Sequence, residues 1–149
     1  MGKRGAVGWP ARVTDRLRFE RGARIAYPSL RGGPAKRLAS GGFRYTVDIN
    51  VPFYETHAVT IIFPPHSRTP KVLANGPSRS PHRYDDGSLC MWHPRDPPSQ
   101  RWRFDDGLLD LLDAITAHLF REAWWREHDE WLGPEISHDA VIDEPQEAG

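Results

Sequence analysis

One cysteine in 149 residues, placed directly behind a turn, constrains this chain more than any other feature. Residues 63–90 read FPPHSRTPKVLANGPSRSPHRYDDGSLC: a proline-punctuated strand, an irregular loop, and then Asp86-Gly87-Ser88-Leu89 leading into Cys90. A lone thiol closes no internal disulfide, so its contribution lies in packing or in reactivity. Flanked by Leu89 and Met91, Cys90 suits a small buried apolar position. Held on a stiff turn with its sulfur exposed, it suits a nucleophile. The turn chemistry is present: Gly87 permits a tight reversal, Asp85 and Asp86 favour it through side-chain bonds to nearby backbone, and Pro81 and Pro94 stiffen the chain on either side.

The same segment resembles the catalytic region of ubiquitin-conjugating enzymes. In that family a P-K-V strand leads to a His-Pro-Asn motif, and a D/N-G-S-I-C turn presents the thiol. Here Thr69-Pro70-Lys71-Val72 stands in the strand position and Asp86-Gly87-Ser88-Leu89-Cys90 in the turn, with weaker resemblance from Gly42 to Phe120. The resemblance implies an α+β, UBC-like fold: N-terminal helix, antiparallel meander, cysteine loop and packed C-terminal helix. It implies acyl transfer through an exposed Cys90 thioester to an amine, with neither metal nor cofactor, because the incoming acyl group is already activated. One position departs from the pattern. The family's asparagine lies eight residues before its cysteine, where this chain has His82, in Ser80-Pro81-His82. In the asparagine's place His82 could donate to the oxyanion, act as a base, or hold the loop through backbone carbonyls. His93 is a weaker candidate of the same kind.

More narrowly, PHRYDDGSLC together with EAWWRE…EWLG is similar to the stand-alone conjugating proteins of CBASS-type anti-phage operons. The partners implied are a protein donor with a reactive C-terminus (a modifier, or the operon's cGAS-like nucleotidyltransferase) and a lysine acceptor protein. Whether a separate activating enzyme precedes them is left open.

Three rivals bear on the same residues. A closed zinc site normally needs four ligands, and Cys90, His93 and His82 have no second Cys/His pair nearby, so no metal is expected. A Cys–His hydrolase would draw on Cys90, His82 and Asp85 or Asp86, but these lie within eight residues on one loop, whereas triads usually converge from distant segments. A non-catalytic UBC-like scaffold would not require the cysteine that is present.

Periodicity places the elements. Residues 10–24 suit a short helix with Val13, Leu17 and Phe19 inward, ended by Gly22; the run from Leu30 to Gly42 reads as a mobile connection. In FRYTVDINV, Phe43, Tyr45, Val47, Ile49 and Val51 share one strand face. Ala58–Phe63 is a second strand, apolar enough for burial on both faces, joined to the first by Tyr54–His57; Val72–Ala74 is a third. The Pro-rich stretch Asn75–Arg103 suits a functional loop. Leu108–Trp125 is the strongest helix, with Leu108, Leu111, Leu112, Ile115, Leu119 and Phe120 at helical spacing and Asp105-Asp106 at its N-terminus. Trp131-Leu132 is expected to fold back onto it. The expected domain is residues 1–133, followed by an acidic tail over 134–149.

Net charge is zero but unevenly spread: residues 1–44 carry eleven Lys/Arg against Asp15 and Glu20, and residues 105–149 carry thirteen acids against Arg121 and Arg126. The two ends could simply attract one another. The alternative is a basic docking face at Arg16, Arg18 and Arg21, which matches the family, whose first helix engages the activating enzyme. These arginines are not regularly interleaved with aromatic residues for base stacking, so nucleic acid is not an expected partner. Trp124 and Trp125 lie about a quarter-turn apart on a helix and cannot both point inward, which leaves core packing beneath the cysteine loop or a partner patch. No apolar run approaches the ~20 residues of a membrane helix, and the basic N-terminus lacks the apolar core of a secretory leader. The expected compartment is the reducing cytoplasm.

Overall fold

Every second residue from Phe43 to Val51 is buried, as their alternation requires. In the computed structural model, which describes residues 12–37, 42–65, 69–77, 79–92 and 101–133, the elements are α1 (Val13–Ala26), β1 (Arg31–Arg37), β2 (Phe43–Asn50), β3 (Thr56–Phe63), β4 (Lys71–Ala74), a 3-10 turn (Phe104–Asp106) and α2 (Gly107–His128). The strands form one antiparallel meander in the order β1-β2-β3-β4. β2 and β3 pair in unbroken register from Phe43↔Phe63 to Asn50↔Thr56. Leu108, Leu111, Leu112, Ile115 and Leu119 of α2 join the buried face of this sheet in one core with Phe63, Val72, Leu89, Trp102 and Phe104. Each fully buried leucine contributes roughly 1.5–3 kcal/mol of transfer free energy, so this stripe is the main apolar anchor of α2.

Several expectations are corrected. The segment after Leu30 is not merely a connection: Arg31–Arg37 is an edge strand, paired with β2 and irregular in register between Gly33 and Arg37. Its Gly-Gly-Pro sequence hides it, and the backbone explains the glycine. Gly32 has φ +134°, and a Cβ there would lie 2.2 Å from the Arg44 carbonyl oxygen, so only glycine allows the approach. β3 is buried on one face only. His57, Val59, Ile61 and Phe63 point in, whereas Ala58 is exposed and Thr60 and Ile62 are partly covered. No side chain caps α2; Asp106 Oδ2 instead accepts from the Arg103 N–H (2.7 Å) and closes the preceding 3-10 turn.

The largest difference is α1. It runs through Gly22 to Ala26 and buries Arg16, Glu20 and Ala23, while Val13, Leu17 and Ile25 are 58%, 54% and 80% exposed. A polar relay takes the place expected of Val13 and Leu17, while Phe19 packs against the core as expected. The Tyr45 hydroxyl donates to Glu20 Oε2 (2.7 Å), Glu20 Oε2 lies 3.8 Å from Arg16 Nε, and the Arg16 guanidinium sits 5.6 Å from the centre of the Phe43 ring. Burial pushes the Tyr45 phenol pKa up, and the Glu20 carboxylate it donates to pushes it further. Positions 16, 20 and 23 keep helical spacing, but charged residues occupy two of them, so apolar periodicity selects the wrong face. Tyr27 continues the inward side, with its hydroxyl bonded to Asp113 (2.8 Å) and Thr116 (2.9 Å) of α2.

Candidate active site

The residues before Cys90 fold into a small hairpin laid against β4. The Gly87 N–H donates to the Tyr84 carbonyl (2.8 Å) and the Tyr84 N–H to the Ser88 carbonyl (2.9 Å), while Leu89 N–H reaches Val72 O (2.9 Å) and Cys90 N–H reaches His82 O (2.9 Å). Gly87 has φ +88°, the left-handed region in which glycine carries no steric penalty. Asp86 holds the turn from within. Its Oδ1 accepts from the Ser88 N–H (2.9 Å) and hydroxyl (2.6 Å), and its Oδ2 takes Lys71 Nζ (2.8 Å). The Lys71 hydrogen bond first, and then those of Ser88, hold the Asp86 carboxyl well below the usual carboxylate range. The expected turn chemistry of Asp86 and Gly87 is therefore present, with Lys71 of β4 as its outside anchor, while Pro94 lies outside the described residues.

Arg83, which the sequence reading did not single out, ties this hairpin to the helix. Its Nε and Nη2 donate to Glu122 Oε2 and Oε1 (both 2.8 Å), while Nη1 donates to the carbonyls of Gly87 (2.8 Å) and Ala74, and Nη2 to that of Asn75 (3.2 Å). Both side chains of the pair are almost fully buried. Burial pushes the Glu122 carboxyl up, but hydrogen bonds from Arg83 and Ser80 and the Arg83 charge outweigh it and leave the pKa lowered. A signal was available: Glu122 falls on the inward stripe of α2 after Ile115 and Leu119, where a carboxylate needs a buried cationic partner.

His82 and Cys90 both lie inside the protein. The His82 ring is buried, 4.1 Å between centres from Trp131 and 6.4 Å from His118, and Trp131 also meets His118 at 5.3 Å. The tryptophan that packs against the cysteine loop is thus Trp131, folded back onto α2 as expected. Trp124 and Trp125 are only half-buried, and Trp124 lies against His128 (3.9 Å) and Phe120 (6.3 Å). His118 is hydrogen-bonded to the backbone of His82, and its pKa is pushed down to about 4, chiefly by burial.

Cys90 is 2% exposed rather than open. It follows Leu89, which enters the core, and its side chain is hydrogen-bonded to Tyr84, a residue 45% exposed. Burial first, and then the hydrogen bond and charge of Cys90, push the Tyr84 phenol up to about 12. The triad alternative gains no orienting carboxylate from Asp86, which is bonded to Lys71 and Ser88. Among the described residues no three His, Cys, Asp or Glu side chains group to hold a metal ion, and no helix is long and apolar enough to cross a membrane. His93 lies outside the described residues.

The basic docking face is also redrawn. Arg16 is buried against Phe43 and is not part of an outer surface. Arg18 is exposed and paired with Asp15 (3.3 Å). With Arg21 and Arg24 it lines a shallow cleft beside Leu17 and Ile25, so the outer side of α1 is both cationic and apolar.

Residues 27–139 match the family described as Type II CBASS E2 protein. Neither a curated protein nor a solved structure gives a significant match to the chain.

Proposed function

The chain belongs to the Type II CBASS E2 protein family, and from that premise we propose that Cys90 forms a thioester with the C-terminus of a protein donor and passes the acyl group to an amine. The observation that carries this reading is the way the sole thiol is held. It follows a hairpin fixed to β4 by Lys71–Asp86 and to α2 by Arg83–Glu122, and a hydroxyl group lies against its side chain. Such a platform positions a sulfur for exchange with an incoming activated acyl group, a reaction that needs no resident strong base. Because the sulfur is 2% exposed, loading requires a local opening of the surface over it.

The donor is the C-terminus of the cGAS-like nucleotidyltransferase of such operons, and the acceptor is a lysine amine. The outer side of α1, with Leu17, Ile25, Arg18, Arg21 and Arg24, is the docking face for the donor-bearing protein.

Cys90→Ser, expressed in the native host and recovered for mass spectrometry, tests the reading. A serine ester to a polypeptide C-terminus is the expected product and identifies the donor. Burial of the sulfur favours one alternative, a scaffold in which Cys90 only packs. That alternative yields no adduct on either wild type or Cys90→Ser, together with a full large-to-small core penalty, about 2 kcal/mol or more, for Cys90→Ala.

A further inference from the structure

The hydroxyl of Tyr84 is hydrogen-bonded to the Cys90 side chain, and the preceding account leaves it without a chemical role. Its backbone is fixed on both sides, as donor to Ser88 O (2.9 Å) and as acceptor from Gly87 N–H (2.8 Å). The intervening Asp86 is itself tied to Lys71 and Ser88. The base of the Tyr84 side chain is therefore anchored, and its ring sits at the surface beside the sulfur. His82 is packed with Trp131 and His118, and His118 engages its backbone.

Resting on the thioester reading above, we infer that Tyr84 is a catalytic residue whose hydroxyl donates a hydrogen bond to the oxyanion of the tetrahedral intermediates formed at Cys90. In loading, the Cys90 thiolate attacks the carbonyl carbon of an activated acyl donor, the C=O π pair moves onto oxygen, and collapse expels the donor's leaving group. In discharge, the acceptor amine attacks the new thioester, charge develops on the same oxygen, and collapse returns the Cys90 thiolate while the amine proton passes to solvent. That oxygen is two bonds from the sulfur, within the space a donor already bonded to the sulfur can reach. Acylation also weakens the sulfur as an acceptor, so the hydroxyl is released as the acyl oxygen arrives. The raised phenol pKa, about 12, keeps the group protonated, and therefore a donor, throughout the neutral range. A donor fixed in advance at the place where charge develops is the arrangement that lowers such barriers most.

Tyr84→Phe removes the oxygen alone. Purified full-length wild type and Tyr84→Phe are loaded with a synthetic peptide α-thioester and discharged onto free lysine, with each step followed by intact-mass spectrometry. Alkylation of Cys90 by iodoacetamide is measured in parallel, because a displacement at saturated carbon forms no oxyanion. Acyl transfer by Tyr84→Phe is expected to fall about 100-fold, the usual effect of losing one such donor, while alkylation changes only a few-fold and the thermal midpoint holds. Equal acyl transfer by the two proteins, or acyl transfer and alkylation changing together, overturns the oxyanion role. A wild type that forms no Cys90 adduct overturns the thioester reading itself, and this inference with it.

Discussion

Arg83 and Glu122 lie 39 positions apart and meet as a two-pronged ion pair, both N···O distances 2.8 Å, between the cysteine hairpin and α2. The pair joins the loop bearing the candidate nucleophile to the helix that carries the core stripe, and the remaining Arg83 donors close on the carbonyls of Ala74, Asn75 and Gly87. Movement of α2 is thereby felt at the turn before Cys90.

Breaking that pair from one side strands a charge in the interior. Arg83→Met is expected to cost about 3–5 kcal/mol in urea denaturation, because Glu122 is left buried without its cation. Glu122→Met leaves the guanidinium stranded in the same way. The double variant is expected to lose clearly less than the sum of the two, since each single change already removes the shared interaction. Strict additivity, or a cost below about 1 kcal/mol for Arg83→Met, shows that the pair does not fix the loop.

Acid acts on the same region through His118. Its pKa in the folded protein is about 4, down from 6.5, mainly through burial, so the unfolded chain binds the extra proton first as pH falls. Stability is complete above about pH 6.5 and declines between there and pH 4, by about 3 kcal/mol for this group alone. Glu122, whose folded pKa is lowered, adds its loss further down, as pH drops through that lowered value. His118→Phe is expected to flatten the pH 4–6.5 limb of the denaturation midpoint and leave the more acidic limb in place. An unchanged limb between pH 6.5 and 4 removes His118 from this account.

Gly22 offers a gain rather than a loss. It lies inside α1, and nothing stands within 4 Å of where a Cβ would be. Gly22→Ala is expected to raise stability by about 0.5–1 kcal/mol, the usual helix-interior difference between the two residues. Calorimetry reads this directly, and a lowered midpoint means that the helix does not continue through this position in solution.

What the chain revealed of itself follows from which interactions leave a periodic trace. β2 and the stripe of α2 from Leu108 to Leu119 were legible because apolar residues recur on one side of each at the period of the element. The turn before Cys90 was legible because Asp86-Gly87-Ser88 carries its own local chemistry. α1 misled, because the residues it buries, Arg16 and Glu20, are stabilised by partners 25 or more positions away, Tyr45 and Phe43, and sequence spacing cannot register such partners. β1 was hidden for a similar reason: Gly32 is selected by the backbone of Arg44 and Tyr45 that it approaches. Tyr84 left no trace at all, since a tyrosine in a polar loop has no pattern until the hairpin folds it onto the sulfur.

The three arginines first grouped on α1 separate into two kinds, and charge reversal distinguishes them. Arg16→Glu puts a second carboxylate beside buried Glu20 and is expected to destabilise the fold by about 3 kcal/mol or more, as an uncompensated buried charge does. Arg18→Glu and Arg21→Glu change exposed positions and are expected to leave the melting temperature nearly unchanged. If the outer side of α1 receives the donor-bearing protein, both should slow its association and weaken the dependence of loading rate on salt, because the rate gained from a concentrated positive field falls as ions screen it. Discharge of preloaded Cys90 onto free lysine should not change, since that step needs no docking. The apolar half of the surface gives an independent arm: Leu17→Asp should slow loading as well, but leave its salt dependence in place. Loading rates indifferent to salt and to all three outer substitutions leave recognition of the donor to the cysteine hairpin alone.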